Sequence, residues 1–333
     1  MLQLENGSSE SLDEIGFYTL NDVRAKNIST SSPLWRACFL VTSRCNFSCK
    51  YCNGLSCDKD YDFDTFKTVL ADMCLNHGLK NIRFSGGEPT LHPKLLDMVK
   101  EARSYKCIEK IAISTNGSAD LDYYKQIIAA GVNDFSISCD TCDSVIANDL
   151  AGRSDNVFDK VISNIREMSK LTYVILGITI SESNSHNIKQ ILEFADSLGV
   201  ADMKLSTSTH WNQPIPNLET IPEYILNKHP ILKYRVSHFK KGRNVRGLRE
   251  CDCHQCMLVQ DDMIIVGSQH YACIVQAREK ASPIGSVESV ALMRQKRLEW
   301  AILKDTHADP VCKPFCMDIF ADCNNRINEL SGS

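Results

Sequence analysis

The chain has 333 residues, of which 43% are hydrophobic and 23% charged, with a formal net charge of −4. This composition supports a folded core and excludes a mainly disordered chain, and the mild acidic balance argues against non-specific nucleic-acid binding. Because no apolar run is long enough to span a bilayer and the first residues lack the pattern of a signal peptide, we expect a cytoplasmic protein with no membrane or nucleic-acid partner.

Strand-like and helix-like segments alternate in the first two thirds of the chain, after a polar extension at residues 1–34. Short apolar runs predict strands at Arg36–Thr42, Asn81–Ser85, Lys110–Ser114, Asp134–Ser138, Tyr173–Ile180 and Asp202–Ser206. Amphipathic stretches between them predict helices at Phe63–Asn76, Lys94–Tyr105, Leu121–Ala130, Val157–Leu171 and Ser185–Leu198. This alternation favours an α/β fold, a partial (β/α)6 TIM-like barrel over residues 35–212, with its chemistry at the carboxyl ends of the strands.

The alternation breaks near Trp211, where several prolines indicate an irregular connection. Further along, the pattern predicts a hairpin at Met263–Ile274 and a helix at Ser289–Lys304. We therefore interpret residues 213–333 as a linker followed by a small C-terminal extension.

The chain contains 16 cysteines, which in a reducing compartment are more often metal ligands than disulfides. Most of them lie in three short windows: Cys45, Cys49, Cys52 and Cys57; Cys251, Cys253, Cys256 and Cys273; and Cys312, Cys316 and Cys323. The others are scattered through strand-like and helix-like segments, and we interpret them mostly as small buried hydrophobic residues.

The first window follows the first predicted strand directly. Three thiolates on one loop, from Cys45, Cys49 and Cys52, suit an iron–sulfur cluster, because three protein ligands leave one iron open for another molecule. Zinc is the competing metal, although it usually takes four protein ligands and only Cys57 offers a nearby fourth.

The spacing Cys-x3-Cys-x2-Cys, with Tyr51 before the last cysteine, resembles the signature of the radical S-adenosylmethionine (SAM) superfamily. Segments at the next three strand ends are also similar to that family: Gly86-Gly87-Glu88-Pro89, the Asn116 segment Ser-Thr-Asn-Gly, and the Ser138 segment Ser-x-Asp. The resemblance implies that Cys45, Cys49 and Cys52 hold a 4Fe–4S cluster and that Tyr51 packs beside the adenine of SAM. It also implies that Gly86, Gly87 and Glu88 hold the methionyl amine and that Asn116 and Ser138 contact the ribose or carboxylate.

By the same resemblance, the chain is expected to be an enzyme that cleaves SAM reductively to a 5′-deoxyadenosyl radical. This radical abstracts a hydrogen atom from the substrate, while the protein binds, orients and excludes water. The resemblance also implies an external one-electron donor such as flavodoxin or ferredoxin.

The late cysteines resemble the SPASM or Twitch extensions of this superfamily, which bind auxiliary iron–sulfur clusters. The resemblance implies one auxiliary 4Fe–4S cluster on Cys256, Cys273, Cys312 and Cys316. Which of Cys251, Cys253 and Cys256 supplies the first ligand stays open, as does the role of Cys323, and a structural zinc is the alternative.

A rival arrangement, Cys253-x2-Cys256-x16-Cys273, is similar to the substrate-binding cluster of the molybdenum-cofactor cyclase. The chain ends Leu330-Ser331-Gly332-Ser333, without the double glycine on which that enzyme relies. We therefore expect a different activity.

The substrate is predicted to be a small polar metabolite, such as a sugar, cyclitol or nucleoside-like compound, that undergoes oxidation, epimerisation or rearrangement. The extension at residues 1–34 is shorter than a peptide-recognition domain needs to be. Modification of a ribosomally made peptide is the alternative function, and a non-catalytic iron–sulfur redox protein is a second one. The candidate catalytic residues are Cys142, as a hydrogen-atom donor, and His210, which follows the sixth strand.

Overall fold

The structure is a computed structural model that describes residues 20–54, 60–153, 155–209 and 211–331. The strands within these ranges are β1 (Arg36–Thr42), β2 (Asn81–Gly86), β3 (Lys110–Thr115), β4 (Asp134–Ser138), β5 (Tyr173–Ile180), β6 (Asp202–Thr207), β7 (Asp262–Val266), β8 (Gln269–Tyr271) and β9 (Gly285–Ser286). The helices are α1 (Asp22–Asn27), α2 (Phe63–Leu75), α3 (Leu95–Ser104), α4 (Leu121–Ala129), α5 (Ser144–Ala151), α6 (Phe158–Ser169), α7 (Ile188–Ser197), α8 (Glu223–Lys228), α9 (Pro230–Lys240), α10 (Ile274–Arg278), α11 (Val290–Leu303), α12 (Cys312–Phe315) and α13 (Asp318–Ser331).

The first compact unit comprises the described residues up to Arg44, from Asn53 to Ile111, and from Arg246 onward. Its strands follow the order β2-β1-β7-β8-β9, in which β2 and β7 both run parallel to β1. Residues 37–41 of β1 are buried, as expected of a strand that is covered on both faces.

The second unit comprises Cys45–Cys52 and Ala112–Val245. Its strands follow the order β3-β4-β5-β6, and every neighbouring pair is parallel. The carboxyl ends of these strands therefore lie at one edge, where β3 and β4 present their terminal polar residues.

The predicted β1–β6 are confirmed, each within one residue of its expected bounds. The resulting structure is a mixed α/β fold with parallel strands, compatible with the expected partial TIM-like barrel. Within the described residues, no helix is both long and apolar enough to cross a membrane.

The parallel pairing of β7 with β1 was not predicted. The sequence indicated only a hairpin at this point, and β7 and β8 do form its two antiparallel arms. All five residues of β7 are buried, and such a short buried run carries no period that reveals its neighbours. The expected division at residues 34 and 212 stays a prediction.

Candidate active site

The loop Cys45–Cys52 carries the three cysteines that were predicted to hold the first cluster. Cys49 is partly buried, whereas Cys45 and Cys52 are exposed. Burial, together with the negative charges of Asp140, Cys52 and Cys45, raises the pKa of the Cys49 thiol to about 12. Ionising the three thiols together therefore requires a compensating positive charge of the kind an iron cluster carries. The donor set fits the predicted group.

Asn46 connects this loop to the residues that follow β3. Asn116 Nδ2 donates a hydrogen bond of 2.8 Å to Asn46 Oδ1, and Asn46 Nδ2 donates one of 2.8 Å to Ser118 Oγ. The Asn116 Oδ1 atom accepts from Ser118 N at 3.0 Å. In this structure Asn116, a predicted SAM contact, therefore positions the cysteine loop.

The C-terminal end of α5 holds the middle of the loop. Ser48 N donates to Ala151 O at 2.9 Å, and this carbonyl is one of those that a helix end leaves without an intrahelical partner. Gly152 then ends α5 in the left-handed conformation, with a φ of 63°. A β carbon at Gly152 would lie 2.1 Å from Ser48 Oγ and 3.0 Å from Ser48 O, so the close approach of helix and loop requires glycine.

Two cationic side chains also form contacts between the cysteine loop and the region around the end of α5. Arg153 Nη1 donates to Asn46 O at 2.9 Å, while its guanidinium also pairs with Asp155. Lys50 Nζ lies 2.7 Å from Asp149 Oδ2, although both side chains are exposed and such a pair contributes little. The loop is thus held mainly by backbone and amide hydrogen bonds.

Tyr51 and Asp140 connect the end of the loop to the end of β4. The Tyr51 hydroxyl donates a hydrogen bond to Asp140 Oδ2. Asp140 Oδ1 accepts from Thr179 N at 2.7 Å, and Asn184 Nδ2 donates to Asp140 O at 2.8 Å. Burial raises the pKa of the Asp140 carboxyl to about 6, although the Thr179 N–H and the Tyr51 hydroxyl lower it. The Asp140 contact was missed at the sequence level, where Tyr51 was expected only to flank adenine.

The predicted glycine pair lies in the first unit, at the end of β2. A β carbon at Gly86 would lie 2.3 Å from Thr42 O, and one at Gly87 would lie 2.4 Å from Arg44 O. Gly87 N also donates to Thr42 O at 2.8 Å. Both glycines therefore permit a close backbone approach, Gly86 to the last residue of β1 and Gly87 to the segment that follows it.

Glu88, the predicted partner of the methionyl amine, has an exposed fraction of 0%. Its Oε1 atom accepts from Thr90 N at 3.1 Å and from Thr90 Oγ1 at 2.7 Å, which caps the 3₁₀ helix Pro89–Leu91. The carboxylate therefore has a structural role in this conformation, and its role toward SAM stays a prediction.

Two further residues predicted for this site, Ser138 and Cys142, belong to the second unit. Ser138 is exposed at the end of β4, and Cys142 is partly buried a few residues further along. Between them, the buried Cys139 thiol donates to Thr141 O at 3.5 Å. His210 lies outside the described residues.

Comparison with known proteins agrees with the cysteine pattern. The family model of the radical SAM superfamily matches residues 39–195, which include the last four residues of β1, the cysteine loop and the strands β2–β5. Residues 39–195 therefore form a domain of the radical SAM superfamily. Membership of this superfamily implies a 4Fe–4S cluster and SAM as cofactors.

The radical SAM domain has both sequence relatives and structural neighbours. A GTP 3′,8-cyclase of Campylobacter jejuni subsp. jejuni is 32% identical over 167 residues, which cover 47% of this chain and 51% of that protein. This chain thus spans about half the length of the curated relatives it matches. A structure of anSMEcpe with bound AdoMet has a TM-score of 0.61 at 13% identity, covering 90% of this chain and 97% of that one. A structure of Streptococcus suis SuiB bound to precursor peptide SuiA has a TM-score of 0.57 at 16% identity, covering 87% of this chain and 68% of that one.

A second cysteine cluster lies beyond the radical SAM domain, within the first unit. One cavity there is lined by Cys253, Cys256, Cys273, Cys312 and Cys316 among mainly apolar side chains. Burial raises the pKa of Cys316 well above its ordinary value, and the charges of three of the other thiols raise it further. The four predicted auxiliary ligands are therefore brought together.

The lining of this cavity favours two of the three cysteines that could supply the first auxiliary ligand. Both Cys253 and Cys256 line it, whereas Cys251 is exposed. Cys323 is partly buried on α13, and burial raises the pKa of its thiol to about 12. Throughout the described ranges, no three His, Cys, Asp or Glu side chains converge as closely as the ligands of one metal ion do. Thiolates that hold a cluster are separated by several inorganic atoms.

Proposed function

We propose that this chain is a radical SAM enzyme that cleaves SAM reductively and abstracts a hydrogen atom from a small polar, nucleoside-like metabolite. The observation that carries the proposal is the Cys-x3-Cys-x2-Cys spacing of Cys45, Cys49 and Cys52 on one loop, within a domain of this superfamily. The bound cluster and SAM supply, on one-electron reduction, the 5′-deoxyadenosyl radical. The net reaction is an oxidation, an epimerisation or a rearrangement.

The chain's own residues orient the loop. Asn116 and Asp140 hold it from the ends of β3 and β4, through Asn46 and Tyr51. Cys49 is partly buried, which lowers the dielectric around its sulfur relative to the exposed Cys45 and Cys52. These contacts prearrange the ligands before any cofactor binds.

The substrate class is supported by the sequence relatives, whose name states that they act on GTP, a nucleotide. The likeness to SuiB is below 25% identity and concerns the fold alone, so peptide modification stays the weaker candidate. We also propose one auxiliary 4Fe–4S cluster on Cys256, Cys273, Cys312 and Cys316, and an external flavodoxin or ferredoxin as electron donor. Reconstituted protein should then hold about eight irons, against about four with the first cluster alone.

The test is 5′-deoxyadenosine formation by anaerobically reconstituted protein under dithionite. We expect Cys49→Ala to lose SAM cleavage and about four irons, because three thiolates hold the cluster. Cys107→Ala, a cysteine outside the three windows, is the matched control and should retain both. Retained cleavage in Cys49→Ala would contradict the proposal, and absence of cleavage in the wild type would favour the non-catalytic redox protein.

The proposed role of Cys142 has a separate test. If its thiol returns a hydrogen atom to a substrate radical, Cys142→Ala should retain 5′-deoxyadenosine formation and lose the epimerised product. Candidate substrates, GTP among them, are compared by mass spectrometry and by solvent deuterium incorporation. Unchanged turnover and product would remove Cys142 from the mechanism.

A further inference from the structure

Two buried amides face the sulfur atoms of the auxiliary cavity. Gln276 Nε2, on α10, donates to Cys312 Sγ at 3.1 Å, and Asn324 Nδ2, on α13, donates to Cys256 Sγ at 3.2 Å. Their exposed fractions are 4% and 6%. Neither residue was singled out by the sequence patterns, and neither is needed to complete a four-cysteine ligand set.

The other contacts of these amides fix which atom faces the sulfur. Asn324 Oδ1 accepts from Leu258 N at 3.0 Å, so the Asn324 nitrogen must point the opposite way, toward Cys256. Gln276 Nε2 also donates to Asp309 Oδ1 at 3.1 Å, and a carboxylate only accepts. Both amides therefore present N–H groups to the thiols, rather than carbonyl oxygens.

Asp309, which accepts from the Gln276 amide, is held ionised. Burial on its own raises its pKa, but Lys304 at 2.8 Å and the N–H groups of Cys312 and Val311 lower it to about 2. The carboxylate thus orients both the Gln276 amide and the backbone that carries Cys312.

A buried cation completes the surroundings. Arg297 has an exposed fraction of 0%, and it donates to Val259 O at 2.8 Å and to Tyr271 O at 2.7 Å. Those carbonyls follow Cys256 and precede Cys273, so a fixed positive charge lies behind two of the predicted ligands. Its interaction with the Cys256 and Cys273 thiols is favourable when they are ionised.

We propose that Gln276 and Asn324 are positioning residues that donate N–H···S hydrogen bonds to two ligands of the auxiliary cluster and raise its reduction potential, with Arg297 adding to the effect. This rests on the auxiliary cluster of the proposed function. Hydrogen bonds and positive charge both favour the reduced, more negative state of an iron–sulfur cluster, because they stabilise charge on sulfur.

The experiment uses the full reconstituted chain with Cys45, Cys49 and Cys52 replaced by Ala, so that only the auxiliary cluster reports. Redox titration followed by electron paramagnetic resonance gives its midpoint potential. In this background Gln276→Met and Asn324→Leu remove one donor each at similar volume. Asn325→Leu is the matched control, because Asn325 forms hydrogen bonds with a backbone nitrogen and a carboxylate oxygen instead of a sulfur: its Oδ1 accepts from Cys253 N and its Nδ2 donates to Asp252 Oδ1.

We expect each donor variant to keep about four irons. Its equilibrium constant for reduction should fall roughly tenfold, which lowers the midpoint potential by about 59 mV for one electron. Asn325→Leu should leave the potential unchanged. Unshifted potentials in both donor variants, or equal shifts in all three, would overturn the inference. Loss of the auxiliary irons in both donor variants would also overturn it, in favour of a purely structural role.

Absence of auxiliary iron in the parent background would remove the inference together with the auxiliary cluster. SAM cleavage by the wild-type chain would still stand or fall on its own assay. The two failures are therefore distinguishable.

Discussion

The Tyr51 hydroxyl donates a hydrogen bond to the buried Asp140 carboxylate, so the residue before Cys52 is fixed to the end of β4. The contact joins residues 89 positions apart in the chain. It makes the geometry of the cysteine loop depend on a strand end that contributes no ligand of its own.

Tyr51→Phe should lower both stability and iron content. The free energy of unfolding should fall by about 1–3 kcal/mol, because a buried carboxylate loses one donor. The measurements are urea unfolding and iron content after reconstitution. Tyr124→Phe is the control, since it removes a buried 2.9 Å contact with Thr115 Oγ1 away from the loop. Equal iron content in the two variants would contradict a role for Tyr51 in cluster assembly.

Gly152→Ala should displace the cysteine loop. The added methyl group would collide with Ser48, and the left-handed backbone at this position would be strained. We therefore expect the free energy of unfolding to fall by about 2–3 kcal/mol. Gly199→Ala is matched in strain, with a φ of 77°, but a β carbon there meets nothing within 4 Å. This control should lose only about 1 kcal/mol and keep its iron. The comparison is made by thermal unfolding and iron content.

Gly87→Ala should be destabilising although the φ of Gly87 lies outside the left-handed region. A β carbon at this position meets the Arg44 and Ser43 carbonyl oxygens at 2.4 and 2.6 Å, and backbone cannot rotate away as a side chain does. A loss of about 1–3 kcal/mol is expected from urea unfolding. In the control Gly177→Ala, the nearest atom to the added β carbon lies at an ordinary 3.6 Å. Its free energy of unfolding should therefore lie within about 1 kcal/mol of that of the wild type. Similar losses in both variants would show that the close approach relaxes freely.

His270 should contribute to acid destabilisation. Burial, with the charges of Arg297 and Lys296, lowers its pKa from 6.5 to about 3. The folded chain therefore binds fewer protons than the unfolded chain between these pH values, and the free energy of unfolding falls as the pH drops through them. His270→Gln should make this fall shallower by up to about 1.4 kcal/mol per pH unit. The measurement is urea unfolding from pH 7 to 4, with His186→Gln, a substitution at an exposed histidine, as the matched control.

The strands of the radical SAM domain were predictable because each is an apolar run bounded by polar turns. Helix α5 was not predicted, although its ends carry clear signals: Asp143 Oδ1 accepts from Val145 N and Ile146 N, and Gly152 follows as the C-cap. The helix is short and lies directly after a motif-bearing strand end. Local capping rules would have found it, whereas the period alone did not.

The ligands of the candidate site were predictable from spacing, but the residues that hold them were not. Asn116 and Asn46 are 70 positions apart, and Asn324 and Cys256 are 68 apart. An amide carries no mark of its partner in the sequence, because the partner is decided by which distant segments pack together. The positions of Gln276 and Asn324 therefore became visible only in the folded chain.

The loop Cys45–Cys52 is also separated in time from the residues that hold it. Lys50 precedes Asp149 by 99 positions, and Asn46 precedes Arg153 by 107. At a translation rate of about 5–20 residues per second, the thiols leave the ribosome roughly 5–20 s before α5 exists to receive them. During synthesis these cysteines are thus accessible to oxidants and to the wrong metals. We therefore expect the iron–sulfur cluster to be inserted only after the second unit has been translated.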